Sequence, residues 1–366
     1  IEGNDKRGCR SNAIVYLAQK THSSYGRDSF GILLESLKLM NANYLSLNNH
    51  TNNTDVLIFH TADFTATDMD LMGSSLGPDF RSALKFVDLS NTTYWQRPKW
   101  NRKDNPLEWY AFPLFSEGYR RMMHWYAIDI WSFFQDHNKD TGCNYEYIMR
   151  FDEDSFLHSP MKYDVFDFMK SNDYNYGFRL CAYEMGVTRR IWNMWRSAGP
   201  PPPKRDIELD MCGIYNNFFV AKIEFFLTGP VQRFLGFIDR HGMIYRRRLG
   251  DLMIHSMTVY AFSEPQKIHR FLDFTYEHGT ADKTTGCVVW GGIQAGYNDV
   301  DAEATLGKYM EEKVTGKGCT ANVSFPTQDN LSPTYQHLPD WLNGKVKLKT
   351  IVAGKVELPG KGLLSG

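Results

Sequence analysis

No stretch of the sequence approaches the roughly twenty uninterrupted apolar residues that a helix needs to cross a bilayer. Neither sign of charge prevails: 41 Lys plus Arg stand against 42 Asp plus Glu, a formal net charge of −1. No global field therefore points to nucleic acid or to an anionic membrane. The six cysteines, Cys9, Cys143, Cys181, Cys212, Cys287 and Cys319, show neither Cys-x-x-Cys spacing nor clustering with histidines, which argues against a zinc site. No internal repeat is present. What is there is a soluble-protein composition, 42% hydrophobic and 23% charged, with a generous aromatic share of 14%. At 366 residues the chain is long enough for one large or two ordinary domains with a real core.

Two features bear on compartment. Asn49, Asn52, Asn91 and Asn322 each head an Asn-x-Ser/Thr sequon, and Asn330 heads another weakened by Pro333. A single sequon means little, because most surface asparagines go unused. An even number of scattered cysteines permits three disulfides in fifteen connectivities, and beside several sequons it favours an oxidising lumen. The sequence opens on Ile1 rather than Met. An upstream signal or membrane anchor would then lie outside this sequence.

Strands alternate with helices over the first half. Ala13 to Ala18, Val56 to Phe59 and Phe86 to Leu89 are short apolar runs of the kind that form buried parallel strands. Phe30, Leu33, Leu34, Leu37 and Met40 lay one apolar stripe at helical spacing between the first two. The pattern predicts a long helix over 117–135, then a strand over 147–151 that ends abruptly in three acids. Further on it predicts a helix over 163–169, a strand over 176–179, an exposed proline loop over 199–203 and strand-like character over 218–226. That last run leads into a helix through Arg240, and another helix covers 252–261. Alternation of this kind implies an α/β fold with a mostly parallel central sheet. We expect one catalytic domain over residues 1–282 and a C-terminal extension over 283–366. Its last twenty residues, rich in Gly and Lys, read as a loosely held tail.

The triplet Asp152-Glu153-Asp154 is the sharpest local signal. In open α/β sheets ligands bind beyond the carboxyl ends of strands, where carboxylates can hold a hard divalent ion that neutralises a diphosphate. A solvated acidic turn is the bland alternative. Gly250-Asp251 with His255, and Tyr276-Glu277-His278, are weaker clusters, since a lone histidine is more often a structural hydrogen-bonding residue. Arg246 to Arg248 would suit phosphate, yet an arginine run is usually a solvated face. His60 at a strand end reads first as a satisfied structural histidine. Trp192 and Trp195 read as sugar platforms or as core.

The stretch from Tyr145 to Asp154, Tyr-Glu-Tyr-Ile-Met-Arg-Phe-Asp-Glu-Asp, resembles Tyr-Glu-Tyr-Tyr-Trp-Arg-Val-Glu-Pro-Asp of the fungal α-1,2-mannosyltransferases, glycosyltransferase family 15. Tyr163-Asp164-Val165-Phe166 and Tyr176-Gly177-Phe178 match further blocks. Cys212 through Val220 is similar to Cys-His-Phe-Trp-Ser-Asn-Phe-Glu-Ile, and Arg248-Leu249-Gly250-Asp251 with His255-Ser256 to Arg-Trp-Gly-Asp with a later His-Ser. Tyr276-Glu277-His278 falls where the family has Tyr-x-His. The blocks keep their order from about Ala13 to His278 and leave the C-terminal extension uncovered.

The resemblance implies a Rossmann-like fold of the glycosyltransferase-A type, a type II membrane protein of the Golgi or endoplasmic reticulum lumen, a GDP-mannose donor, Mn²⁺ or another divalent cation, and a glycan or glycoprotein acceptor. Carried over, Asp152 takes the place of the family's metal-side glutamate, Asp154 keeps its aspartate and His278 its metal-binding histidine. Asp152, Glu153, Asp154 and Arg248 are the expected donor-binding residues. Glu153 replaces a proline and is expected to add charge. Phe219 stands where the family has a glutamate proposed as nucleophile, and phenylalanine can neither attack an anomeric carbon nor take a proton. Asp251 is then the best-placed catalytic carboxylate, with Glu208 and Asp210 weaker. The competing functions are a transferase with another donor, such as a UDP-linked sugar, and an inactive relative that only binds nucleotide or glycan. A glycoside hydrolase would also use paired carboxylates, but it would not need a metal–diphosphate site.

Overall fold

A computed structural model describes residues 10–21, 29–47, 53–183, 188–197, 212–281, 288–294, 320–326, 346–352 and 355–357. The chain opens as strand β1 (Asn12–Leu17), helix α1 (Ser29–Met40), β2 (Thr54–His60), helices α2 (Ala66–Ser75) and α3 (Pro78–Ala83), and β3 (Leu84–Asp88). Helices α4 (Glu117–His124) and α5 (Ile130–Thr141) then lead to β4 (Tyr147–Phe151). After β5 (Ser155–Leu157) come α6 (Val165–Ser171), β6 (Tyr176–Tyr183), α7 (Thr188–Ser197) and β7 (Cys212–Lys222). Helices α8 (Ile223–Leu227), α9 (Gly229–Arg240), α10 (Met243–Arg247) and α11 (Asp251–Phe262) precede β8 (Ile268–Arg270) and β9 (Tyr276–Ala281). The described strands of the C-terminal part are β10 (Val288–Gln294), β11 (Thr320–Pro326), β12 (Val346–Val352) and β13 (Lys355–Glu357).

Seven strands form the central sheet in the order β3-β2-β1-β4-β7-β6-β8. The first four are parallel, β7 runs antiparallel to both its neighbours, and β8 is parallel to β6. Alternate side chains of each strand feed two cores. On one face Ala13, Val15, Leu57, Phe59 and Phe219 pack against α5, α8, α9 and α11. On the other Ile14, Tyr16, Val56, Ile58 and Phe218 pack against α1 and α6. Burial on both faces is why these strands read as continuous apolar runs, and the α/β fold with its mostly parallel sheet is the one expected.

A second sheet, β13-β12-β11-β10-β9-β5, stands beside the first. The expected division after residue 282 falls between β9 and β10, which pair antiparallel. Part of the Gly- and Lys-rich end expected as a loose tail is instead strand, with Ile351 of β12 facing Val356 of β13.

Two elements differ from their sequence expectation. The helix over 117–135 is interrupted by a π-helical turn, Trp125–Asp129. Trp125, Tyr126 and Ala127 are consecutive yet 0%, 1% and 0% exposed, and the widened turn lets all three face inward, which a regular helical stripe does not. The run expected as strand over 218–226 becomes helix at Ile223. A short apolar run fits either period, and tertiary packing decides. From α8, Phe226 stacks on Trp131 at 3.7 Å.

Beside the π turn, buried His124 bridges two helices. Its Nδ1 lies 2.6 Å from Asp129 and its Nε2 3.0 Å from Asp239. Burial works against the charge, but the two carboxylates win and push the imidazole up from 6.5 to about 9. Burial also raises the Asp129 carboxyl, so the pair contributes at most about 3 kcal/mol to stability. That contribution is complete below the unfolded value of 6.5 and is lost as pH rises through about 9. Urea titrations at pH 6 and pH 10 should show the parental protein losing this increment and His124→Asn losing none of it. Equal pH dependence in both would remove the bridge from the stability account.

Candidate metal centre and donor site

The acid triplet forms a turn directly after β4. Its shape is fixed by Ser155, whose backbone N–H donates to the Asp152 carbonyl at 3.0 Å and whose Oγ accepts from the Asp152 N–H at 3.2 Å. The same Oγ lies 2.7 Å from the Tyr276 hydroxyl on β9. Strand β5 pairs with β9 so that Ser155 faces His278, and the Gly279 N–H donates to the Asp154 carbonyl at 3.2 Å. This register places a histidine from late in the chain beside the acids. Its Nε2 lies 3.2 Å from Asp154 Oδ1 and 3.7 Å from Asp152 Oδ2. One ligand atom from each of Asp152, Asp154 and His278 falls within 4.8 Å of the others. Two carboxylate oxygens and an imidazole nitrogen make a donor set that fits Mn²⁺. The other ring nitrogen, Nδ1, is 3.0 Å from the Tyr215 hydroxyl, the outer partner that orients a ligating imidazole.

Glu153 does not join this cluster. Its Oε2 accepts the Gln19 N–H just beyond β1, at 3.1 Å. Burial, and then Asp154 beside it, push its carboxyl well above the usual range. Burial raises the Asp152 carboxyl as well, against the pull of Arg150.

Arg150, 3% exposed in the middle of the site, ties the cluster to the rest of the sheet. Its Nε donates to Asp152 at 2.8 Å and its Nη1 to Asp251 at 2.9 Å. Its guanidinium lies 3.3 Å from the centre of the Tyr126 ring. Asp251 opens α11 behind the cap residue Gly250 and also accepts from Asn216 Nδ2 at 2.9 Å. The helix N-terminus, the arginine and the amide all favour negative charge there. Across the β4–β7 ladder Arg150 faces Phe219, whose ring stacks on Tyr176 at 5.3 Å and lies 5.1 Å from His255. Position 219 is thus apolar floor beneath the charged pair.

The sequence matches the family described as glycolipid 2-alpha-mannosyltransferase over residues 28–198 and 204–298. The chain belongs to this family. Among curated members it is 27% identical over 176 residues to the probable mannosyltransferase MNT3 of Candida albicans, covering 44% of each chain. It is 26% identical over 212 residues to the glycolipid 2-alpha-mannosyltransferase of Saccharomyces cerevisiae, covering 52% of this chain and 46% of that one. The aligned parts thus span less than half the length of these relatives. The fold is shared with core-mannan synthase A of Aspergillus fumigatus, solved in a Mn/GDP form, at a TM-score of 0.61 and 17% identity over 77% of this chain and 78% of that one. It is shared too with the mannosyltransferase Ktr4p of S. cerevisiae in complex with GDP, at 0.59 and 18% over 80% and 74%. The fold is of the glycosyltransferase-A type.

In this mannosyltransferase-family chain the remaining sequence candidates divide clearly. Arg248 adopts a left-handed backbone (φ 56°) three residues before Asp251. Its guanidinium lies 4.0 Å from the Phe115 ring centre and 3.2 Å from the Tyr119 hydroxyl. His255 is structural: Nε2 donates to the Tyr126 carbonyl, Nδ1 accepts from Tyr176, and burial pulls its pKa down to about 4. His60 is a buried strand-end residue whose Nδ1 accepts from the Ala62 N–H. Trp195 packs into the core on Phe234 and Phe237. Glu208 and Asp210 lie outside the described residues, as does the loop over 199–203.

Sequence reasoning passed over Arg150, Tyr126, Tyr215 and Asn216. Arg150 did carry a signal, as a charge inside a five-residue apolar strand. Asp154, and then Asp152, hold the His278 imidazole above its ordinary 6.5, outweighing the opposing effect of burial. A metal at this cluster must displace that proton. Mn²⁺ affinity, read by titration calorimetry, should therefore fall as pH drops through a value above 6.5. His278→Ala should bind more weakly and without that pH dependence. An unchanged profile in the variant would exclude His278 as a ligand.

Proposed function

We propose that this chain transfers mannose from GDP-mannose to a hydroxyl of a glycan or glycoprotein, with Mn²⁺ held by Asp152, Asp154 and His278. The observation that carries the reading is the convergence of those three ligand atoms within 4.8 Å at the carboxyl end of β4. The Mn/GDP and GDP forms of the two solved relatives support it. When bound, the metal would neutralise the charge that develops on the departing diphosphate. Arg248, near the start of α11, is placed to meet the donor's phosphates as a charge-assisted hydrogen-bond donor.

Arg150 keeps Asp152 and Asp251 in register and steadies both charges at the sugar end of the site. Because Phe219 supplies no reactive group, Asp251 is the carboxylate beside the reacting carbon, positioned by Arg150 and Asn216. Phe219 is also the one observation favouring a relative that binds donor without turning it over. The catalytic unit is residues 1–282, with 283–366 joined to it through the pairing of β9 and β10.

Two variants separate these roles. Asp154→Ala should lose metal-dependent GDP binding while its melting temperature is kept. Asp251→Asn should bind GDP-mannose nearly as well as the parent but turn over at least about a hundredfold more slowly. Parental turnover in Asp251→Asn would end the assignment, and a parent that binds but never hydrolyses or transfers would favour the binding-only reading.

The reading places the protein in the lumen of the secretory pathway. Cys143 is disulfide-bonded, and Asn91 is exposed in the turn after β3. Among the described residues no helix is long and apolar enough to cross a membrane. Protein from a eukaryotic host should lose mass at Asn91 on enzymatic deglycosylation, and Asn91→Gln should abolish that loss. An unmodified Asn91 in secreted protein would count against the lumenal assignment.

A further inference from the structure

Three of the four large apolar side chains that are exposed among the described residues fall within one eight-residue segment. Leu107 is 77% exposed, Tyr110 62% and Leu114 80%. Exposed apolar groups scattered singly along a chain need no explanation, but three gathered in one short segment do. These three cannot fold back onto the protein, because the segment that carries them is fastened from beneath. Trp109 is buried under the guanidiniums of Arg97 and Arg120, at 5.0 and 5.4 Å. Arg120 donates to the Tyr110 carbonyl at 2.5 Å and to the Tyr245 carbonyl at 2.7 Å. The Tyr110 N–H donates to the Arg246 carbonyl at 3.1 Å. The apolar tips are thus held outward on a scaffold that loses little freedom when they are covered.

The surroundings of this segment are basic, although the whole chain is close to neutral. Residues 99–115 together with α10 hold five basic residues against two acids. Arg102, Lys103, Arg246 and Arg247 are exposed, and one of the two acids, Asp104, is already paired with Arg246 at 2.6 Å. Leucine offers a sugar hydroxyl no hydrogen bond, so two of the three exposed groups do not suit a glycan. Leucines that enter an acyl boundary, a tyrosine whose ring and hydroxyl suit an interface, and flanking cations that meet phosphate headgroups together fit a lipid surface.

We infer that the 105–115 segment, with the basic residues beside it, docks the protein onto a phospholipid bilayer bearing anionic headgroups. The surface lies at the rim of the site, since Phe115 and Tyr119 at its edge touch Arg248. One such patch gives reversible attachment, since stable anchoring takes a second signal. The inference is independent of which sugar the enzyme transfers.

Flotation of the full chain with vesicles tests it. The protein should rise with phosphatidylcholine vesicles containing phosphatidylserine, and much less with phosphatidylcholine alone. The combined variant Leu107→Ser, Tyr110→Ser, Leu114→Ser should partition at least about tenfold more weakly, and Arg102→Glu with Lys103→Glu should lose on the order of tenfold on the anionic vesicles only. Melting temperature and donor hydrolysis in solution should be unchanged in both. Should the triple variant lose its fold, Leu107→Ser alone carries the test at its exposed position. A parental protein that does not float, or variants that float equally, would overturn the inference. Binding to soluble polyglutamate without binding to vesicles would overturn it in favour of an acidic protein partner.

Discussion

A guanidinium taken out of water must be matched by negative charge, because its hydration is otherwise lost without return. Arg150 meets this requirement with two carboxylates from distant parts of the chain, Asp152 and Asp251, and with the face of Tyr126. Each partner brings an element with it. Asp152 fixes the turn after β4, Asp251 fixes the start of α11, and Tyr126 fixes the π turn between α4 and α5. The Tyr126 hydroxyl also accepts the Leu17 N–H at the end of β1. A single buried cation thus sets the mutual positions of the candidate metal cluster, the proposed catalytic carboxylate and the end of the central sheet.

Much of this was legible before any coordinates. The strands β1, β2 and β4 announced themselves because burial on both faces leaves short apolar runs, and α1 because burial on one face leaves a stripe. The acids at 152 and 154 stood out because charge directly after such a strand is unusual. What the sequence could not show is what depends on register. His278 reaches the acids because β5 pairs with β9 at Ser155, and no local pattern states that pairing. The π turn was hidden because a helix with one widened turn has almost the periodicity of a regular one. That Glu153 turns away from its two neighbours was equally hidden, because its partner is the Gln19 N–H beyond β1, far off in sequence. Asp251 stood out only through its motif, and nothing in the sequence shows that Arg150 ties it to Asp152.

Position 219 is built by packing rather than by charge. The phenylalanine there joins Tyr176, Trp131 and His255 in an aromatic floor, while the residues above it keep their charges and hydrogen bonds. Arg150 and Phe219 sit opposite each other on one face of the sheet, yet their partners differ, carboxylates for the one and rings for the other. The floor can therefore lack a reactive group while the charged cluster beside it stays assembled.

The second sheet has a consequence for dividing the protein. Strand β9 is a central strand there, with β5 on one flank and β10 on the other. A chain cut after Ala281 would leave the His278 strand with one row of backbone donors and acceptors open to solvent. Such an unsheltered edge recruits strands from other molecules. The C-terminal part thus acts as a guard on the strand that carries His278, and a shortened chain would be prone to self-association through that same strand.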